Sequence, residues 1–139
     1  NDRFEVFSRV DSEFVHGNTT VKPVGVSSYL ESFRTCTGLI CGAGFEAPSE
    51  ALFCGKKLLI SPIKGQYEQA SNAIAASILN VPVFESFDEK GARVWKEFLN
   101  SEHRQKLFYP DYADALVDQL ISNVEKGRDY DDISPLQVW

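Results

Sequence analysis

The sequence lacks methionine altogether, has only three cysteines and contains no long apolar run. None of its apolar stretches approaches the roughly 20 residues that a membrane-spanning helix needs. Cys36, Cys41 and Cys54 show no paired spacing and have no histidine nearby, so we expect reduced, buried and unreactive thiols. Because the chain starts with a charged segment and without methionine, we expect part of a longer protein with no signal peptide.

Positive charge is also scarce, and this scarcity limits the classes of ligand. The chain has 14 Lys and Arg against 20 Asp and Glu, a formal net charge of -6. Sequence-independent binding of nucleic acid needs a basic face, so we expect no nucleic-acid partner. A phosphorylated small molecule is not excluded, because a helix N-terminus can bind phosphate locally. His16 and His103 have no partners at ligand spacing, and we expect no metal site.

Strand-like and helix-like segments alternate along the chain, which predicts an α/β fold with a parallel sheet. The predicted strands are residues 4–10, 21–24, 38–41, 58–60 and 83–85, and residues 11–20 are predicted to form a loop. The predicted helices are residues 29–35, 48–54, 67–79, 91–100 and 112–125, the first capped by Ser27 or Ser28. We expect residues 1–126 to form one domain and residues 127–139 a loose acidic tail.

Within the third helix we expect small residues to form one stripe that packs closely on a sheet. The members of this stripe are Ala70, Ala73, Ile74, Ser77 and Ile78.

Two strand–loop–helix junctions in succession are the most informative part of the sequence. After the strand at 38–41, Gly42 and Gly44 turn the chain, and Pro48 fits the first position of a helix. Backbone amides around Gly44 and Phe45 would suit a diphosphate at this helix start. The alternative is a plain strand-to-helix turn, because the segment is neither a GxGxxG motif nor a P-loop.

The acidic residues of the first junction allow two interpretations. Glu46 would repel a phosphate unless it points to solvent or acts as a cap. Glu50, which we expect in the first helical turn, either complements the helix dipole or accepts hydrogen bonds from two ribose hydroxyls.

The second junction follows the next strand and carries further polar side chains. Lys64 and Gln66 lie on the predicted loop, and Glu68 and Gln69 open the following helix. A carboxylate and an amide together can recognise several sugar hydroxyls, although each residue could equally be a solvated loop residue. The carboxyl ends of parallel strands are where open α/β sheets bind their ligands.

The segment from Val21 to Ala73 resembles the C-terminal, nucleotide-sugar-binding domain of GT-B glycosyltransferases. It is most similar to bacterial relatives of the lipid-linked N-acetylglucosaminyltransferase of peptidoglycan synthesis. The resemblance rests on an ordered set of residues: Gly44, Glu50-Ala51-Leu52, Gly55, Pro62, Glu68-Gln69 and Asn72-Ala73. It implies a Rossmann-like parallel sheet flanked by helices, without the first βα unit of such a domain.

The resemblance also assigns roles to individual residues. The residues that it implies for the donor diphosphate are Gly42, Gly44, Phe45 and Lys64. It implies ribose binding by Glu50, sugar binding by Gln66, Glu68 and Gln69, and base binding by Lys22 and Val24. The sequence departs from the plant-type box of these enzymes at Val21, Gly42 and Glu46, where that box has Trp, His and Asn.

The resemblance further implies that a second domain shares the reaction with this one. A missing N-terminal domain, in the same or another chain, would bind the acceptor and hold the catalytic base, so no catalytic residue is expected here. We expect metal-independent transfer of a hexosyl or N-acetylhexosaminyl group, with a UDP-linked nucleotide sugar as substrate and no cofactor. A membrane-associated acceptor would place the protein, otherwise expected to be cytoplasmic, on the inner face of a membrane. The alternatives are a non-catalytic or split donor-binding subunit and a UDP-sugar 2-epimerase-like domain.

Overall fold

A computed structural model describes residues 2–127 of the chain. The chain divides into two compact units, Asn1–Leu107 and Phe108–Trp139. The strands and four of the described helices belong to the first unit, and a single described helix belongs to the second. The acidic tail predicted at residues 127–139 lies, from residue 128 onward, outside the described residues.

Three strands form the first sheet. They are β1 (Phe4–Ser8), β2 (Phe14–His16) and β3 (Thr19–Pro23), in the order β1-β3-β2. β1 and β3 are parallel, whereas β2 and β3 form an antiparallel hairpin. The prediction of a loop over residues 11–20 was therefore wrong at β2. This strand has only three residues, all of them exposed, so no buried alternation marks it in the sequence.

Two parallel strands form the second sheet, β4 (Gly38–Cys41) and β5 (Lys57–Ile60). The strand predicted at residues 83–85 is reduced to an isolated bridge between Ile60 and Val83. The α/β class with parallel strands flanked by helices is thus confirmed. Among residues 2–127, however, the strands are divided between two sheets.

The described helices of the first unit are α1 (Val26–Thr35), α2 (Glu46–Phe53), α3 (Tyr67–Ile78) and α4 (Glu89–Asn100). The second unit contributes α5 (Ala113–Glu125). No helix among residues 2–127 combines the length and the apolar character needed to cross a membrane.

Two helix starts differ from the predictions. The N-cap of α1 is Gly25, and the Ser28 hydroxyl donates to the Gly25 carbonyl at 3.1 Å instead of capping the helix itself. Pro48 is the third residue of α2, because the helix already begins at Glu46. The predicted end of α2 is confirmed, since Gly55 follows it with a φ of +62°, the left-handed conformation that favours glycine.

The core lies on both faces of β5. Leu58 and Ile60 point to one face, where they pack with residues that include Ala51 and Ala73. Leu59, which is completely buried, points to the other face. Because successive strand residues alternate between faces, helices cover this strand on both sides.

The small-residue stripe predicted for α3 was wrong. The buried residues of this helix are Ala73 and Ala76, which lie three positions apart. Ile74 and Ile78 are 65% and 76% exposed. The two alanines let the helix approach the sheet closely, and this turns the larger branched residues away from it.

Candidate functional site

The two predicted junctions lie side by side at the carboxyl ends of β4 and β5. β4 leads through residues 42–45 into α2, and β5 leads through residues 61–66 into α3. Since β4 and β5 are paired in parallel, both loops emerge at the same edge of the sheet. This edge is the usual ligand position in open α/β folds.

Gln69 joins the two loops directly. Its side-chain Oε1 accepts hydrogen bonds from the Ala43 amide at 3.2 Å and from the Ile63 amide at 3.0 Å. Its Nε2 donates to Oε1 of Gln66 at 2.8 Å. A Cβ built on Gly42 would lie 3.4 Å from Oε1 of Gln69, so the glycine turn lies against this amide. The structure thus brings Gly42, Gln66 and Gln69 together.

Asn72 makes a second link between α3 and the first loop. Its Nδ2 donates to the Ala43 carbonyl at 3.0 Å. Side chains of α3 therefore satisfy both backbone groups of Ala43, which is only 1% exposed. Sequence reasoning did not identify this clamp on Ala43. The sequence feature that could have indicated the clamp is the pair of amide side chains, Gln69 and Asn72, three residues apart near the start of a helix.

Both helices begin without a side-chain cap. The N-cap of α2 is Phe45, whose side chain is 74% exposed, and the N-cap of α3 is Gln66. The N–H groups of the first turn of each helix are therefore open to a ligand. Two neighbouring helix N-termini with free donors form an arrangement that suits an anion. Pro48 contributes no donor, because it lacks an N–H.

The acidic residues of the site differ in their positions along the helices. Glu46 and Glu68 occupy the first turns of α2 and α3 and are exposed. Glu50 is the fifth residue of α2 and lies in its second turn instead of its first, because the helix begins two residues earlier than predicted. The dipole-complementing role therefore belongs to Glu46, and Glu50 is left as an exposed carboxylate on the side of α2.

Glu50 has an aromatic neighbour on α1. Burial, and then the nearby Glu50, raise the pKa of the Tyr29 hydroxyl. Tyr29 and Glu50 line the same cavity.

The remaining predicted residue of the second junction lies on the loop surface. Lys64 is exposed, next to Gly65, which has a φ of +82°. The Gln66 amide closes the turn by donating to the Ile63 carbonyl at 3.2 Å. Gly44, in the first loop, also has open space around it, since a Cβ added there would meet no atom within 4 Å.

The residues predicted to bind the base lie on the first sheet and directly after it. Lys22 forms an ion pair with Glu5, with 2.9 Å between Nζ and Oε1. Glu5 also accepts a hydrogen bond from the Ser32 hydroxyl. This bond and the ion pair lower the pKa of Glu5, and the bond to Glu5 raises the pKa of Lys22. Val24 is 71% exposed. Their role in base binding stays a prediction, and Lys22 already has a partner.

The three cysteines differ in their exposure. All three thiols are free, but Cys54 is exposed, so the prediction that all are buried was wrong. Burial raises the pKa of the Cys41 thiol to about 11. Within residues 2–127, no three His, Cys, Asp or Glu side chains are grouped as a metal site requires.

Comparison with known proteins places the chain in a family. No curated protein and no solved structure gives a significant match, so the narrower resemblance to peptidoglycan enzymes stays a prediction. The family model described as Glycosyl transferase family 1 matches residues 3–101, a span that contains both sheets and both junctions. The chain therefore belongs to Glycosyl transferase family 1.

Proposed function

We propose that this chain is the donor-binding part of a GT-B glycosyltransferase and holds a nucleotide sugar at the carboxyl ends of β4 and β5. The observation that carries the proposal is the pair of uncapped helix N-termini that Gln69 fixes next to each other. The family match supports the class of reaction. Exposed helix N-termini in a member of such a family fit the diphosphate of the donor.

In this proposal the N-terminus of α2 binds the diphosphate. The amides near Gly44 and Phe45 donate to it, and the positive end of the helix dipole stabilises the charge that develops as the nucleoside diphosphate leaves. Such stabilisation requires no metal. Gly42 and Lys64 complete this part of the site, and the exposed carboxylate of Glu46 extends into solvent.

Carboxylate and amide side chains bind the ribose and the transferred sugar in this proposal. Glu50 accepts hydrogen bonds from the ribose hydroxyls. Glu68 and Gln66 recognise the hydroxyls of the transferred hexosyl or N-acetylhexosaminyl group. Because Oε1 of Gln69 already accepts two hydrogen bonds, Gln69 acts mainly by holding the loops, with one Nε2 hydrogen left for the sugar.

The acceptor and the catalytic base belong, in this proposal, to an N-terminal domain of the same or another chain. The base of a UDP-linked donor would lie near Lys22 and Val24, at the carboxyl end of β3. A membrane-associated acceptor, as in the peptidoglycan enzymes that the sequence resembles, would bring the protein to the inner membrane face.

Calorimetry and thermal shift with UDP, GDP, dTDP and UDP-GlcNAc test the donor site. A ligand at 100 times its dissociation constant stabilises the fold by about 2.7 kcal/mol, a shift that is easily measured. We expect one nucleotide to bind, and Glu50→Gln to weaken its binding about tenfold or more, since a charged hydrogen bond contributes about 1.5–3 kcal/mol. Glu89→Gln is the matched control, because Glu89 is also an exposed helical glutamate but belongs to α4, outside both junctions.

A test of nucleotide binding by a longer chain can contradict the proposal. The measurement is repeated on the longest natural chain that contains these residues, together with any separate chain that carries the proposed N-terminal domain. If no nucleotide or nucleotide sugar binds that chain, the donor-binding role is wrong. If a nucleotide binds but Glu50→Gln and Glu89→Gln behave alike, the ribose assignment is wrong.

A further inference from the structure

Ala43, in the loop of the first junction, is fixed on three sides. Its side chain is buried in the core cluster that contains Leu58 and Ile60. Its N–H donates to Oε1 of Gln69, and its carbonyl accepts from Nδ2 of Asn72. Neither of the two peptide groups that flank Ala43 can therefore rotate without breaking a hydrogen bond to α3.

The bond from Asn72 sets the direction of the next amide along the chain. No peptide bond in the described part of the chain is cis. In a trans peptide group, the C=O of one residue and the N–H of the next point in opposite directions. Because the Ala43 carbonyl points at Nδ2 of Asn72, the Gly44 N–H points away from that side chain.

The Gly44 N–H is an unused donor. Among residues 2–127, no acceptor takes a hydrogen bond from it. The first hydrogen bond of α2 runs from the Ser49 amide to the Phe45 carbonyl at 3.2 Å, so the N–H groups just before Pro48 have no helical acceptor. The Gly44 N–H therefore adds one donor to this group.

The fold itself does not require glycine at position 44. Its φ lies outside the left-handed region, unlike those of Gly17, Gly55 and Gly65. A Cβ added to Gly44 would find open space. The missing side chain leaves this space next to the unused amide, where a ligand can approach the backbone closely.

We propose that Asn72 is a positioning residue of the donor site, which directs the Gly44 N–H at an oxygen of the donor diphosphate. The inference rests on the proposed function, because it concerns the same site. Asn72 acts through the peptide group between Ala43 and Gly44. A donor that is held in place before the ligand arrives loses less conformational freedom on binding, and this raises the affinity.

The same arrangement also serves the departure of the nucleoside diphosphate. The negative charge on the diphosphate grows as its bond to the sugar breaks. A backbone N–H that already points at this charge stabilises it without any rearrangement of the loop. Asn72 therefore contributes to transfer as well as to binding, although it lies behind the peptide group that binds.

NMR titration of the glycine amides tests the proposal. The longest natural chain that contains these residues is labelled with isotope-enriched glycine and titrated with UDP and, separately, with inorganic pyrophosphate. We expect both probes to move the Gly44 amide proton downfield, because a hydrogen bond to an anionic oxygen deshields it. The Gly17 amide is the matched control, because Gly17 lies in the turn between β2 and β3, outside both junctions.

Asn72→Leu separates positioning from folding. Leucine is close to asparagine in size and has no charge, so this variant removes the donor without adding a charge to the site. We expect the Kd of both probes to rise about tenfold and the downfield shift of Gly44 to be mostly lost. Val94→Ala is the matched control for stability, because Val94 of α4 packs on the core cluster that contains Leu59. Urea denaturation shows that both variants are folded.

A second variant fills the open space and keeps the amide. Gly44→Ala should be at least as stable as wild type, because its φ lies outside the left-handed region and its Cβ meets open space. We expect it to weaken the binding of both probes at least about fivefold, since the diphosphate must then accommodate a methyl group at a close contact.

A further readout does not depend on any variant. When the Gly44 N–H donates to an anion, the peptide group is polarised and the Ala43 carbonyl becomes a stronger acceptor. The Nδ2 protons of Asn72 should therefore also move downfield when either probe binds. The control is the side-chain amide of Asn18, which donates to the Asp2 carbonyl at 2.8 Å.

Four results would overturn the proposal. One is binding of a probe to wild type without a shift at Gly44 or without a shift at Nδ2 of Asn72. Another is a folded Asn72→Leu variant with the affinity and the Gly44 shift of wild type, which means that Asn72 only stabilises the fold. The third is equal weakening by Asn72→Leu and Val94→Ala. The fourth is unchanged binding by Gly44→Ala.

Failure of the donor-binding role gives a different result. If UDP does not bind but pyrophosphate shifts Gly44 in wild type and not in Asn72→Leu, UDP recognition is wrong and the positioning of an anion-binding amide stands. If neither probe binds and the other nucleotides fail as well, both proposals are wrong.

Discussion

The two sheets of the first unit are both built around a parallel pair of strands, yet they differ sharply in burial. In β5 of the second sheet, Leu58, Leu59 and Ile60 are 5%, 0% and 1% exposed. In the first sheet, every residue of β1, β2 and β3 is half-buried or exposed. The difference follows from coverage, because parallel strands are stable when helices pack on both of their faces.

Aromatic contacts join the first sheet to α1 and α4. The ring of Phe7 packs edge-on against Tyr29, and the ring of Phe4 lies near Trp95. The free energy of unfolding should therefore come mainly from the second sheet and its helices, and the first sheet should open at lower cost. The following three predictions test this difference, in order of decreasing effect.

Leu59→Ala should give the largest loss of stability. This side chain is fully buried between β5 and α4, so its truncation should cost about 2–5 kcal/mol of unfolding free energy. Urea denaturation followed by circular dichroism measures the loss. The matched control in the first sheet is Val15→Ala, where the side chain is 68% exposed and the change should stay within about 0.5 kcal/mol. Equal losses in the two variants would show that the sheets do not differ.

Gln69→Leu should give an intermediate effect, at the carboxyl end of the second sheet. The substitution leaves the Ala43 and Ile63 amides without their acceptor, which should cost about 1–3 kcal/mol. Gln69→Glu is the matched control, because it keeps an acceptor oxygen in the same place. We expect the Glu variant to retain most of the stability in urea denaturation. A Leu variant as stable as the Glu variant would mean that the clamp contributes nothing.

Glu5→Gln should give the smallest effect, in the first sheet. The hydrogen bond from Ser32 and the ion pair with Lys22 lower the pKa of Glu5 from its ordinary value of 4.5. A lowered acid pKa adds stability above that ordinary value, and the added stability is lost as the pH falls below it. Because Glu5 is 43% exposed, solvent screening should keep the contribution below about 1 kcal/mol.

Urea titrations at several pH values between 7 and 3 measure this contribution. Wild type should lose more stability than Glu5→Gln on acidification, and the two curves should converge at low pH. Lys22→Gln and the double variant complete a cycle that isolates the ion pair from the Ser32 bond. Parallel pH curves for wild type and Glu5→Gln would contradict the prediction.

The predictable part of the fold is the part with strong local signals. β4 was predicted with its observed bounds because Gly38–Cys41 is a short apolar run between a polar turn and a glycine turn. The end of α2 was predictable because Gly55 tolerates the left-handed conformation. β2 had no such signal, since its hydrogen bonds to β3 depend on a pairing that exposed side chains do not encode.

The candidate site was predictable in its residue types but not in its contacts. Sequence reasoning selected Gln66 and Gln69, yet their bond to each other and the clamp on Ala43 depend on how the two loops approach. Glu50 was selected, but its helical turn was wrong, because Pro48 marks only a favoured helix start. The division into two sheets could not be read from the sequence, since the residues of a strand do not show which other strand it pairs with.

The different environments of the cysteines have a practical consequence for spectroscopy. The thiolate is the form that attacks thiol reagents, and Cys41 stays protonated at neutral pH because burial raises its pKa to about 11. Cys36 is half-buried, with its sulfur bonded to the Phe33 carbonyl at 3.3 Å, whereas Cys54 is exposed. A maleimide dye should therefore label Cys54 selectively. Because Cys54 is the C-cap of α2, the dye would report on the helix from the end opposite the free amides.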